Sequence, residues 1–260
     1  MQVFTPAARR AEKNLSGGNG LQPLAPTRPG ASTQAKRLPQ VFALSSWTRR
    51  PRMGAVTGGL SSPGMSRLPY LREHELDASS RQTWDSVIRT RGSAAQNDSG
   101  ELVGPFNAWL YAPELGTQLS EVGAILRFQA SIERRLLELA IITVGAHWRA
   151  EFEWFAHARL AAEAGVTAEV IDAIRVGRTP AFERDDERIV HAAARQLVSS
   201  GGLDDGVYGE VFALFGPEGA VQLVSLCGYY SLVSFTLNAF QVELPPGVSP
   251  QWPQRDSDTV

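Results

Sequence analysis

The 260-residue chain has a single cysteine, Cys227, and no lysine after residue 64, since both lysines, Lys13 and Lys36, lie upstream. One thiol excludes an intrachain disulfide, a CxxC redox pair and a cysteine-built zinc site, and it is compatible with a reducing compartment. The missing lysine excludes Schiff-base chemistry, pyridoxal phosphate attachment and a Walker lysine from residues 65–260. Strand signals are also wanting, with no two-residue hairpin turn and no alternating apolar run. Acids are scarce at one end: residues 1–64 hold nine basic residues and one acid, Glu12. Of the totals of 25 and 27, sixteen basic and twenty-six acidic residues remain, so the two parts carry +8 and −10.

Residues 1–64 are rich in Gly, Pro, Ser and Thr and have no sustained period, so a disordered basic tail is expected there. They lack the continuous apolar core of a secretory signal. An extension upstream of a natural start at Met65, where "MSRLPYLREHEL" begins, is the favoured reading. An Arg-rich organellar transit peptide is the second. A nucleic-acid-binding tail is the third, and no Lys/Arg-aromatic interleaving supports it. The folded domain is expected over 65–244, with a C-terminal tail over 245–260. Location follows the tail: cytoplasmic, or mitochondrial if the segment is a transit peptide.

From residue 73 the pattern is helical, which makes the fold class all-α. "DASSRQTWDSVIRTRG" starts from a capping Asp77 or Ser79 and stops at Gly92. "SAAQNDSGELVG" reads as a polar loop. Pro113 opens "PELGTQLSEVGAILRF", and "SIERRLLELAIITVG" runs from Ser131 to Gly145. "AHWRAEFEWFAHARLAAEAG" then forms one helix ending at Gly165, a suitable C′ glycine. Three more helices, "TAEVIDAIRVG", "DDERIVHAAARQLVSSGG" and "DDGVYGEVFALFG", are bounded by Asp or Thr caps and glycines. Gly219 to Val242 carries no charge and is long enough to span a bilayer. Its recurring Gln, Ser, Thr and Asn residues and its non-basic flanks favour a central bundle helix instead. Ser231, Ser234 and Asn238 share one of its faces, either as a polar pocket wall or with the serine hydroxyls bonded to carbonyls one turn back.

Three ionisable residues stand out. Glu138 lies in the apolar run "LLELAIITV", where a carboxylate needs a partner or becomes a usable acid or base. The structural alternative is pairing with Arg134 or Arg135 one turn earlier. Glu153 and His157 are four apart and can touch on a helix. A carboxylate beside an imidazole orients it and suits it to general acid work near neutrality. His147 and Glu151 repeat the spacing. Such pairs also occur as solvated helix contacts. With no HExxH or paired ExxH arrangement, no metal site is expected.

The spacing Glu138-x11-Ala150-x2-Glu153-x3-His157 resembles the signature of the carboxymuconolactone decarboxylase-like family. That family includes alkyl hydroperoxide reductase D-type proteins, which carry E-x11-C-x2-C-x3-H. "GPFNAWLYAPELG", "FEWFAHARLAAEAGV" and "GYYSLVSFTLNAF" extend the likeness over roughly residues 66–244. Glu138 and His157 match the family glutamate and histidine, while Ala150 and Glu153 stand where the redox cysteines would be. The resemblance implies a helical bundle of the alkyl hydroperoxide reductase D-like type, assembled as a homo-oligomer, commonly a trimer or hexamer. It further implies a cofactor-free lyase or proton-transfer enzyme that decarboxylates a small cyclic organic acid. His157 would be the proton donor, oriented by Glu153 and faced by Glu138, with His147 and Trp154 binding substrate. Trp148, Phe152, Trp154 and Phe155 would supply a dry aromatic pocket. A non-catalytic helical oligomer binding a small molecule or partner protein is the alternative. A family thiol peroxidase comes third, disfavoured by the absent cysteines. No nucleic acid, membrane or cofactor enters any of these readings.

Overall fold

Asp77 ends one extended stretch and starts the first helix. Its backbone is extended (φ −71°, ψ 173°) and its carboxylate accepts from the Ser80 amide at 2.8 Å, capping α1 (Ala78–Arg91). A computed structural model describes residues 66–253. The readings made for residues 1–64 lie outside them. Seven further helices follow: α2 (Pro105–Leu110), α3 (Pro113–Phe128), α4 (Arg134–His147), α5 (Glu151–Glu163), α6 (Ala168–Arg175), α7 (Asp185–Ser200) and α8 (Asp205–Ala239). Among the described residues there is no strand, only an isolated bridge between Gln96 and Leu102. The fold is all-α.

Helix α4 is the hub. Its run from Arg135 to Gly145 is buried throughout, because α5, α7, α8 and α6 all pack against it. Leu139, Ala140, Ile142 and Val144 have no exposed surface, and they anchor the main core with Leu223 and Leu226 of α8. A smaller core of Trp84, Val87, Ala95, Leu102 and Leu110 sits between α1, α2 and the loop that joins them. That loop is more ordered than its polar composition implied: the Asn97 side chain accepts from the amides of Ser99 and Glu101.

One expected helix is two. The stretch 146–165 breaks at Trp148–Ala150, with Arg149 in the left-handed region at φ 46°. No glycine or proline marks this corner, since tertiary bonds make it. Asn238 Nδ2 donates to the Trp148 carbonyl at 2.8 Å, and the Trp148 indole donates to Ser231 Oγ at 3.0 Å. The opposite holds for α8, where Gly216 (φ 66°, ψ −174°) followed by Pro217 interrupts the helix, as the two separate patterns in the sequence anticipated. Residues 245–253, set apart above as tail, dock on the body through Trp252. Its amide donates to Glu151 Oε1 and its indole to the Arg175 carbonyl.

The polar face of α8 divides between the two readings. Ser231 Oγ bonds back to the Cys227 carbonyl at 2.9 Å, whereas the Ser234 hydroxyl is buried without a partner. Ser234→Ala should therefore stabilise the fold by about 1 kcal/mol, the low end of the cost of an unsatisfied buried polar group. Thermal melts should rise by about 2–4 °C. A lower melting temperature would mean that the hydroxyl has a partner in solution.

Candidate functional site

Glu138 is carried into the interior by its own helix, and α5 lays Glu153 and His157 against it. All three are buried, at 3%, 4% and 5% exposure. His157 Nδ1 and Glu138 Oε2 are 2.6 Å apart. A carboxylate can only accept, so Nδ1 carries the proton. On the other side of the ring, Nε2 lies 3.0 Å from Glu153 Oε1. That approach is off the hydrogen-bond axis, and Oε1 has no aligned partner. Tyr230 of α8 meets the imidazole edge-on, with centroids 5.3 Å apart. Arg127, at the end of α3, brings Nη2 to 3.4 Å from Glu138 Oε1.

Two carboxylates flanking one imidazole are driven apart. Burial pushes the Glu138 carboxyl up, but the hydrogen bond from His157 and the charges of His157, Arg127 and Arg134 outweigh it, leaving Glu138 below the usual carboxylate range. Burial also pushes Glu153 up, and Glu138 adds to this, so it stays above that range although His157 and Arg127 pull the other way. Burial opposes the charge on Arg127, yet Tyr230, Glu138 and Glu153 more than offset it and keep the guanidinium cationic. The arrangement is a carboxylate held ionised, an imidazole, and a carboxyl that keeps its proton to higher pH than usual, in a row.

The raised Glu153 acid has a consequence for stability. The native state keeps a proton that the unfolded chain releases around the ordinary value of 4.5, so the penalty is absent below that pH and grows as pH rises toward the folded value. Glu153→Gln should match or exceed the parent in denaturant stability at neutral pH, and the difference should vanish below about pH 4. A variant that grows less stable than the parent as pH rises would show that Glu153 is an ion-paired carboxylate.

The three candidate residues converge, but the partners differ in part from expectation. The aligned bond that orients His157 comes from Glu138, not Glu153. Arg135 does not pair with Glu138, since its guanidinium goes to Asp186 and Glu187 of α7, whereas Arg134 forms the expected one-turn ion pair, long at 3.9 Å from Nε to Glu138 Oε1. His147 and Glu151 do not pair, because the corner puts them on different helices and Glu151 is taken up by Gln251 and Trp252. His147 and Trp154 do not join the triad. His147 is exposed nine residues, about two and a half turns, beyond Glu138. Trp154 is buried edge-on against Trp252 at 5.4 Å. Nor do the four aromatic rings share a pocket, for Trp148 packs on Phe235, and Phe152 lies near Phe155 and beneath Gly104. The sequence reading missed Arg127 and Tyr230. Arg127 has a usable signal, a lone charge in the apolar run "AILRF". Tyr230 has none.

Cys227 is buried and its thiol is pushed up to about 12 by burial, so it is not a thiolate at neutral pH. Among the described residues, no group of three or more His, Cys, Asp or Glu side chains is arranged to hold a metal ion.

No protein of curated function matches the chain. A crystal structure from Agrobacterium tumefaciens, described as a protein of unknown function and a candidate antioxidant defence protein AhpD, is similar at 17% identity and a TM-score of 0.48. The likeness covers 54% of this chain and 96% of that one, and at this level it carries no functional argument. Residues 113–196 match the family model described as the carboxymuconolactone decarboxylase family. That segment spans α3 to most of α7 and contains Arg127, Glu138, Glu153 and His157. Through the helices that build its site, the chain is similar to the carboxymuconolactone decarboxylase family over residues 113–196.

Proposed function

We propose that the chain is a cofactor-free enzyme that moves a proton onto a small organic acid, in the manner of a decarboxylase-type lyase. The observation that supports this most is the buried row Glu138–His157–Glu153, in which one imidazole lies between a carboxylate held below the usual range and a carboxyl pushed above it. Loss of carbon dioxide breaks the bond from a ring carbon to its carboxylate, and the electron pair enters the substrate's own conjugated lactone. Glu153 first passes its proton to His157 Nε2, the imidazolium so formed delivers that proton to carbon, and Glu153 takes a proton back from solvent to complete the turnover. Glu138 keeps the ring oriented through Nδ1. Arg127, half-buried beside Glu138, is placed to hold the substrate's carboxylate before it leaves as neutral carbon dioxide. A dithiol peroxidase reading has no support in this chain, since Ala150 and Glu153 occupy the cysteine positions and Cys227 is buried.

The functional unit in this proposal is a homo-oligomer, a trimer or hexamer. Val221, Val224, Leu232 and Phe235 form an exposed stripe along α8, and Val122, Ile125 and Phe128 form another on α3. By length and composition α8 could cross a membrane, and 44% of its most apolar window is buried in the bundle. A second copy covering the rest would also close over Phe128 and the neighbouring Arg127. One observation favours the non-catalytic alternative: among the described residues, the triad lines neither the cavity beside His147 and His191 nor the one beside Trp154 and Phe155.

The test is carbon dioxide release and ultraviolet change from purified protein given a panel of carboxylated muconolactones, with mass measured by light scattering. Turnover by an oligomer supports the proposal. Silence across the panel, or a monomer at micromolar concentration, counts against the corresponding half of it.

A further inference from the structure

A cavity of about 260 Å³ that the triad does not line opens at the C-terminal end of α4, bounded by the α4–α5 corner, the end of α6, α7 and Trp252. Its walls carry His147, Arg149, Arg175, His191 and Arg195, and among the described residues no acid lines it. We propose that this cavity binds a small organic dianion, one bearing two carboxylates or a phosphate, at a site separate from Glu138, His157 and Glu153.

Three observations carry the assignment. The cations are not spent inside the fold. Arg175 is shared with Asp172, but among the described residues neither Arg149 nor Arg195 has an acidic partner. Glu151, the nearest acid in sequence, is occupied by the amides of Gln251 and Trp252. Two unpaired guanidiniums call for two negative charges, and guanidinium forks match carboxylate and phosphate oxygens.

The backbone is also strained where one of these cations is presented. Among the described residues, Arg149 is one of two non-glycine residues with positive φ, at 46°. An arginine held where glycine fits better is the kind of local cost that functional sites retain. Finally, like charges crowd together without relief. His191 is pushed down to about 4, by burial first and then by Arg195, and the same two causes lower His147. An anion between them would remove that repulsion. Ile174, Val176 and the Trp252 ring give the cavity an apolar flank for the ligand's carbon skeleton. The volume lies just under the roughly 300–1,000 Å³ of typical small-molecule sites, which limits the ligand to a small metabolite.

The groups facing the histidines are Arg149 from the corner, Arg175 with Asp172 from α6, and Arg195 from α7. An anion held among these charges should draw protons onto His147 and His191, so binding should tighten as pH falls. The experiment is isothermal titration of the full chain at low salt with succinate, inorganic phosphate and acetate. At least one dianion should bind, with acetate at least about tenfold weaker. Arg195→Gln and Arg149→Gly should each weaken that binding by about tenfold or more. Arg149→Gly should melt no lower than the parent, since glycine relieves the corner, so its loss of binding would not reflect misfolding. His157→Gln should bind like the parent. No binding by either dianion at about 10 mM, or unchanged binding in both arginine variants, overturns the proposal. Loss of binding in His157→Gln places the ligand at the triad and overturns it equally.

Discussion

Replacing His157 by glutamine should slow turnover on a confirmed substrate by about 10²–10⁴, the usual contribution of a positioned acid or base. The fold should survive, because a glutamine amide can still donate to Glu138 Oε2 in place of Nδ1, now 2.6 Å away. What glutamine cannot do is exchange a proton with Glu153 on the far side. The loss should therefore fall on kcat and leave helicity, mass and melting behaviour close to those of the parent. Glu138→Gln should keep more activity, since it weakens the orientation of the ring without removing the donor. It should also shift one limb of the pH–rate curve, because an anion beside the imidazole has gone. The reverse order, with His157→Gln active and Glu138→Gln dead, would make Glu138 the acid. Full activity in both would reduce the row to a structural device.

Arg135→Leu should cost about 3–5 kcal/mol in stability, the range for breaking a buried ion pair by removing one partner. Arg135 is 4% exposed and ties α4 to α7, with Nη1 2.5 Å from Glu187 Oε1 and Nη2 2.7 Å from Asp186 Oδ2. Glu187 is itself 3% exposed, so removing the guanidinium strands a carboxylate away from water. The double variant Arg135→Leu/Glu187→Gln should recover a good part of the loss, because the stranded charge is gone. Equilibrium denaturation of the four proteins in the cycle measures the coupling directly. A single variant within about 1 kcal/mol of the parent would mean that Asp186 and Glu187 find solvent when Arg135 leaves.

Both variants lie in features of unequal legibility. The triad could be read because its spacing is local: Glu153 and His157 are one turn apart, and Glu138 is conspicuous among leucines and isoleucines. Helix starts at Asp77, Pro113, Thr167 and Asp204 were equally legible, since caps and first-turn prolines act within four residues. The corner at Trp148–Ala150 was not, because bonds from Ser231 and Asn238, more than eighty residues away, enforce it. The partners of His157 were misassigned for a related reason. Helical spacing gives proximity to Glu153, but the angle that decides a hydrogen bond depends on how α4 and α5 cross. Tyr230 was invisible because one aromatic in an apolar helix looks like any other. The arginine-lined cavity draws on four separate stretches of chain, and no window along the sequence contains it.

The enclosure of α4 also bears on time. A helix packed on several sides releases its amide protons only when the whole domain opens, whereas exposed turns such as Asn97–Gly100 exchange through local fluctuations. Glu138 therefore belongs to the slowest-breathing part of the molecule, and its distance to His157 is fixed on every timescale shorter than unfolding. Whatever adapts such a site to a new substrate has to come from its rim, at Arg127 and Phe128, while the proton-handling centre stays as it is.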